Sequence, residues 1–167
     1  THNYEHHTFT NILGKDRDYG YGLLRLTHAE KWHPHHLFQI FEYVILSSLF
    51  QWGVALHESQ FDEIAKGNQK WRDKIPFFKG FLRKASRQVF KDYVFFPLLA
   101  GPAMLPVLAG NATANFIRNI WTSTVIFCGH FPEDVHVFSE EECENESRGH
   151  WYYRQILGSA NFDGSRL

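Results

Sequence analysis

Apolar and polar positions along the chain fall into blocks. Residues 37–56 (LFQIFEYVILSSLFQWGVAL) are nearly apolar, interrupted by Gln39, Glu42, Ser47, Ser48 and Gln51. Residues 57–92 are polar and basic, and residues 93–110 (YVFFPLLAGPAMLPVLAG) hold no charge at all. The apolar run continues over 111–129, where Arg118 is the sole charge, before an acidic stretch at 131–148 and an aromatic, small-residue tail at 150–167. About 20 apolar helical residues cross a bilayer's hydrocarbon, so an uncharged stretch of roughly 18 or more is a spanning candidate. Residues 93–110 meet that length and 111–129 supply a return leg, so 93–129 is expected as a transmembrane helical hairpin. Pro97, Pro102 and Pro106 would kink its first leg, as membrane helices tolerate. The competing arrangement is a buried hairpin in a soluble helical domain. A mean hydropathy of −0.35 points that way, although it averages polar loops with apolar blocks.

Charge placement then sets the topology, because Lys and Arg concentrate in cytoplasmic loops close to the spans. Residues 1–37 carry Lys15, Arg17, Arg25 and Lys31, and residues 57–92 carry nine more basic side chains, from Lys66 to Lys91. Both flanks of the first apolar block therefore prefer one side. That block, 38–56, with Glu42 and Gln51 inside it, reads as an interfacial or dipping helix rather than a crossing. The segments 1–37, 57–92 and 130–167 all fall on the cytosolic side. The fold expected is all-α, an integral membrane helical protein with cytosolic histidine-bearing helices. With no initiator Met and no signal peptide, it is expected to be a fragment of a longer chain.

Composition changes that picture at one point. The 167 residues are 44% hydrophobic and 17% aromatic, which excludes a disordered chain. A formal net charge of −1 argues against a nucleic-acid binder, and two Cys give neither a disulfide framework nor a Cys-rich zinc site. The anomaly is 11 His, seven of them within residues 1–37.

The densest cluster is His2-Asn3-Tyr4-Glu5-His6-His7. On a helix His2 and His6 share a face, so both imidazoles can reach one cation, while His7 points about 100° away and can serve a second. Imidazole suits first-row transition metals, iron and zinc included. Two chemistries compete. The run His2 to His6 matches the inverted zincin pattern H-x-x-E-H, with Glu5 as general base of a zinc hydrolase. That reading leaves His7 idle and still needs a carboxylate ligand. A non-haem di-iron centre at a membrane surface gives His7 a role.

His2-Asn3-Tyr4-Glu5-His6-His7-Thr8-Phe9-Thr10-Asn11, followed by Gly14-Lys15-Asp16-Arg17-Asp18-Tyr19-Gly20-Tyr21-Gly22, resembles the second histidine box of the membrane fatty acid desaturases. The likeness is to bacterial, actinobacterial-type acyl-CoA or acyl-lipid desaturases. Cys128-Gly129-His130-Phe131-Pro132 and the run from Trp151 to Phe162 look like the stretch that leads to that family's third box. The resemblance implies a di-iron oxidoreductase that uses O₂ and two electrons to remove two hydrogens from a fatty acyl chain, with the active-site face cytosolic. It implies iron ligation by His2, His6 and His7, with the first and third boxes outside the chain, so that the fragment alone would not turn over. Implied partners are a fatty acyl-CoA or acyl-lipid substrate, membrane lipids and an external electron donor. That donor would be an electron-transfer protein of ferredoxin, cytochrome b5 or flavin-reductase type. A third possibility is a catalytically inactive desaturase-like lipid-binding subunit.

Further residues divide less sharply. His130 and Asn119 lie three helical turns apart, with Asn115 and Asn111 continuing the line. Polar groups inside a span usually face the protein interior or a site. His130 or Asn119 is therefore a candidate extra iron ligand, direct or through water, the alternative being an interhelical hydrogen-bond stripe with His130 at the interface. His33-Pro34-His35-His36 looks like a box, but Pro34 breaks the helix that would align ligands, so a solvated loop is expected. Asp16 and Asp18 are read as turn formers, with orientation of His2 or His6 as the alternative. His150 stands where the family pattern suggests Gln, which argues against an essential ligand. The basic stretch 66–91 is expected against anionic headgroups. Substrate-binding residues are not legible.

Overall fold

The structure is a computed structural model that describes residues 2–65, 67–132 and 135–160, with the side chains of 2–5, 62 and 65 left aside. Asn161 and Phe162, the end of the third motif, lie outside the described residues, as do the side chains of His2 and Glu5. Among the described residues the chain is helical, and the only strand-like pairing is one isolated parallel bridge between Ile12 and Phe138. The helices are α1 (His2–Phe9), α2 (Gln39–Ser48), α3 (Phe50–His57), α4 (Phe61–Ala65), α5 (Trp71–Phe90), α6 (Phe96–Leu99), α7 (Met104–His130) and α8 (Arg148–Leu157). They divide between two compact units, one built from 1–47 with 122–167 and the other from 48–121.

The first unit carries the histidine box. Its small core holds Ile12, Tyr19, Tyr21, Leu24, Leu46 and Phe138, all buried. Around them Phe127 contacts Tyr43 and Phe131 at ring-centroid distances of 5.2 Å each, and Tyr19 meets Phe131 edge-on at 5.3 Å. Edge-to-face packing at this separation is favoured by the ring quadrupoles. Tyr21 adopts φ +54 beside Gly20 at φ +62, so the Tyr19–Gly22 turn reverses the chain tightly enough to bury both tyrosines.

The second unit is a helical assembly laced by amides. Gln51 donates to Gln88 at 2.8 Å and accepts from Arg118. Asn115 donates to the Tyr93 hydroxyl at 3.0 Å. A single π-helical turn, Lys91–Phe95, joins α5 to α6. Such a turn displaces the helical hydrogen-bond register, and the Asp92 carbonyl is taken by the Asn111 amide at 2.6 Å. A cavity of about 210 Å³ opens beside this turn, lined by Trp52, Gln88, Asp92, Tyr93 and Asn115 among others.

The expected hairpin is corrected in its register. Residues 93–110 are not one leg, because the chain breaks at the 3-10 turn Gly101–Ala103, and α7 begins at Met104, well before position 111. Gly101 opens the turn with φ +54, a conformation open to glycine, and Pro102 is its second residue. Pro106 then sits in the first turn of α7, where its missing N–H breaks no helical bond. Among the described residues no single helix is long and apolar enough to cross a membrane. The polar groups of Asn111, Asn115, Arg118 and Asn119 dilute α7 in that respect. The stretches Pro34–Ser48 and Phe50–His57 together have the length and composition, but they are bent at their junction.

Candidate metal centre

Helix α1 presents the box and stops immediately after it. Asn11, fully buried, takes φ +58 just beyond the helix, where a left-handed Asn commonly ends one. The chain then curls back so that the Asp16 amide donates to the Ile12 carbonyl at 2.8 Å. This places the Asp16 carboxylate beneath His6.

The geometry there is specific. His6 is 2% exposed and its Nδ1 lies 3.0 Å from both oxygens of Asp16. The carboxylate also accepts the Asn11 amide at 2.8 Å and the Asp18 amide at 3.0 Å. Asp16 therefore forms the turn and orients the histidine at once, two roles treated above as alternatives. With Nδ1 held as donor to Asp16, the lone pair of His6 sits on Nε2, the nitrogen that a metal would take. Burial alone would lower the His6 pKa. The Asp16 hydrogen bond and charge, with Asp18 adding to them, outweigh it, and the net shift is upward. Burial first, then the Glu30 and Asp16 charges, push the Tyr19 phenol up to about 12, so that hydroxyl stays neutral.

Other imidazoles gather around His6. The ring of His7 lies 5.4 Å away and that of His130, the last residue of α7, lies 4.7 Å away. His7 is exposed and His130 half-buried. Two imidazoles sharing an ion with bonds of about 2.0–2.1 Å have ring centres roughly 5 Å apart, so these spacings suit a shared ion or an adjacent pair. Among the described residues no group of three His, Cys, Asp or Glu side chains is already arranged to hold a metal. Asn119 belongs to the second unit, where its amide donates to the Ser48 carbonyl at 3.0 Å and accepts the Gln51 amide at 3.2 Å. His33, His35 and His36 cluster on a 3-10 turn, Pro34–Phe38, with His35 and His36 at 4.2 Å. The His36 Nδ1 accepts the His33 amide at 3.0 Å there. His150 is exposed beside Glu146 at 3.4 Å.

Residues not singled out from sequence hold the end of α1. Arg154, 1% exposed, donates to the carbonyls of Thr8 at 2.9 Å and Thr10 at 3.1 Å. It is itself gripped by both oxygens of Glu146 at 2.8 and 3.0 Å. The signal available was a lone Arg amid Tyr152, Tyr153 and Ile156, which an amphipathic reading assigns to solvent.

The chain is 45% identical over 167 residues to the NADPH-dependent stearoyl-CoA 9-desaturase of Mycobacterium tuberculosis, covering 98% of this chain and 39% of that protein. It belongs to the fatty acid desaturase family. A second member, the sn-1 linoleoyl-lipid 6-desaturase of Synechocystis sp., is 30% identical over 173 residues, covering 96% of this chain and 46% of its own. The chain thus spans less than half the length of the curated relatives it matches. No protein-family model and no solved structure matches it.

Proposed function

We propose that the protein is part of a non-haem di-iron desaturase that inserts a double bond into a fatty acyl chain. The observation that carries this reading is the pairing of His6 with Asp16 at 3.0 Å, in a chain 45% identical to a stearoyl-CoA desaturase. His2, His6 and His7 are the proposed iron ligands. His130 is the stronger of two additional ones, because its ring packs on His6, whereas the Asn119 amide is engaged by Ser48 and Gln51. The donor set fits: imidazole nitrogens suit iron, and a carboxylate behind the ring raises the basicity of the ligating nitrogen. When bound, the iron pair supplies the oxidising power by which O₂, two electrons and two protons become two waters while the acyl chain loses two hydrogens.

The chain's own residues prepare that chemistry. Asp16 fixes the tautomer and the rotation of His6, and Asp16 with Asp18 provides negative charge beneath a cationic site. The substrate proposed is a fatty acyl-CoA, after the Mycobacterium relative, with an acyl lipid as the alternative after the Synechocystis one. The first of those relatives is NADPH-dependent; an electron-transfer protein is the proposed carrier here. A membrane setting with the histidine face cytosolic is supported by the basic flanks and by exposed apolar side chains such as Leu37, Ile40, Phe41, Leu98, Leu99 and Leu105. The zinc hydrolase reading finds no support among the relatives and leaves His130 beside His6 without a role. In the whole protein His6→Ala abolishes desaturation and lowers bound iron. Normal product yield from that variant refutes the assignment, and metal analysis that returns one zinc per chain favours the hydrolase.

A further inference from the structure

A helix end leaves its last four carbonyls without intrahelical partners. In α1 those carbonyls belong to the box itself, and each is taken by a specific donor. Thr10 Oγ1 donates to His6 at 2.8 Å, Gln155 Nε2 to His7 at 3.0 Å, and the Ile12 amide to Phe9 at 2.9 Å. Thr8 accepts from Trp151 Nε1 at 3.1 Å and from Arg154 at 2.9 Å, and Arg154 reaches one residue further to Thr10. Trp151, Arg154 and Gln155 stand at i, i+3 and i+4, so one face of α8 supplies all three side chains. Gln155 Oε1 lies 3.1 Å from the same Thr10 hydroxyl, whose single proton is shared between it and the His6 carbonyl.

We infer that Arg154, braced by Glu146, is a positioning residue that fixes the rotation and height of the box helix and so the aim of the His6 and His7 imidazoles. This rests on the iron reading above. Ligand bonds tolerate about 0.2 Å of error. Asp16 holds the ring of His6, and Gln155 holds the backbone of His7 directly. The guanidinium is suited to the task because its planar fork serves two carbonyls and a carboxylate in one geometry. A Lys at 154 would supply the charge and single bonds without the fork.

The test uses the whole protein, titrated with Fe(II) after chelation, alongside hydrogen exchange of the α1 amides and unfolding of the metal-free form. Arg154→Gln is expected to weaken iron binding by tenfold or more, the scale at which outer-shell partners act. It also speeds exchange in α1, alters the ferrous spectrum, and lowers kcat with KM for the acyl substrate unchanged; Arg154→Lys recovers part of each. Trp151→Phe, which keeps the ring and loses one donor, weakens iron binding several-fold and serves if Arg154→Gln does not fold. Folded variants with wild-type iron affinity and spectrum overturn the positioning role. So does a loss of iron that merely tracks the unfolded fraction. A folded wild type that takes up no iron overturns the iron reading, and the positioning role with it.

Discussion

Replacing Asp16 by Asn tests whether this carboxylate acts on the histidine as well as on its own loop. The wild-type side chain is 5% exposed and serves three donors: His6 Nδ1, the Asn11 amide and the Asp18 amide. An Asn keeps one acceptor oxygen and turns an N–H toward the remaining donors. One buried donor is then left without a partner, at about 1–3 kcal/mol, and bonds to a charged acceptor are replaced by neutral ones. Together these give a loss of about 3 kcal/mol, a large share of the roughly 5–15 kcal/mol that holds most domains. Urea unfolding of the metal-free protein measures it. The loss carries a pH signature. His6 has a folded pKa raised above its ordinary 6.5, so its contribution is full below that value and fades as pH rises through the folded pKa. The wild-type advantage over Asp16→Asn is therefore greatest on the acid side of 6.5 and shrinks above it. Iron affinity at neutral pH falls by about 10- to 100-fold. Unfolding within about 0.5 kcal/mol of wild type at pH 6, together with unchanged iron affinity, refutes the role given to Asp16.

Three further outcomes follow from the same geometry. The Arg154 hydrogen bond, against partial opposition from burial and with the Arg154 and His150 charges adding, holds the Glu146 carboxyl below its ordinary value. Its stability contribution is present above that ordinary value and lost as pH falls through the folded one, so the difference between wild type and Glu146→Gln closes in acid titration. Gly101→Ala costs about 1–2 kcal/mol in thermal unfolding. A Cβ there meets nothing within 4 Å, so the cost is that of a left-handed φ alone. Asn119→Leu removes a donor and an acceptor inside the second unit and costs about 2 kcal/mol. It leaves iron content intact if His130 rather than Asn119 completes the ligand set, which metal analysis of the purified variant decides.

The histidine box could be proposed from sequence because its spacing is local: residues four apart share a helix face, and the structure does run a helix from His2 to Phe9. The helical class was legible from the apolar blocks for the same reason. The position of the chain reversal was not, because 93–110 is uniformly apolar and periodicity cannot mark a break inside it. Three prolines, Pro97, Pro102 and Pro106, offered competing cues, and only Pro102 follows a glycine that takes a left-handed φ. Asp16 was read as a turn former, which it is. Its second role depends on the loop returning beneath His6, a contact ten residues apart in sequence. Arg154 was illegible for a stronger reason. Its partners Thr8 and Thr10 lie 146 and 144 residues away, and a charged side chain in an amphipathic helix is ordinarily solvated.

That separation has a consequence for biogenesis. The ribosome delivers the box helix first and its brace almost at the end of this stretch. At about 5–20 residues per second, 146 residues take roughly 7–30 s to emerge. Throughout that interval the α1 carbonyls that α8 later engages face solvent or a chaperone, and the helix, only eight residues long, is too short to persist alone. If iron binds at this box as proposed, metal loading is thereby ordered after translation of α8. On the proposed iron reading, an ion that arrives earlier meets flexible imidazoles, and the aimed pair dates from the docking of α8 on α1.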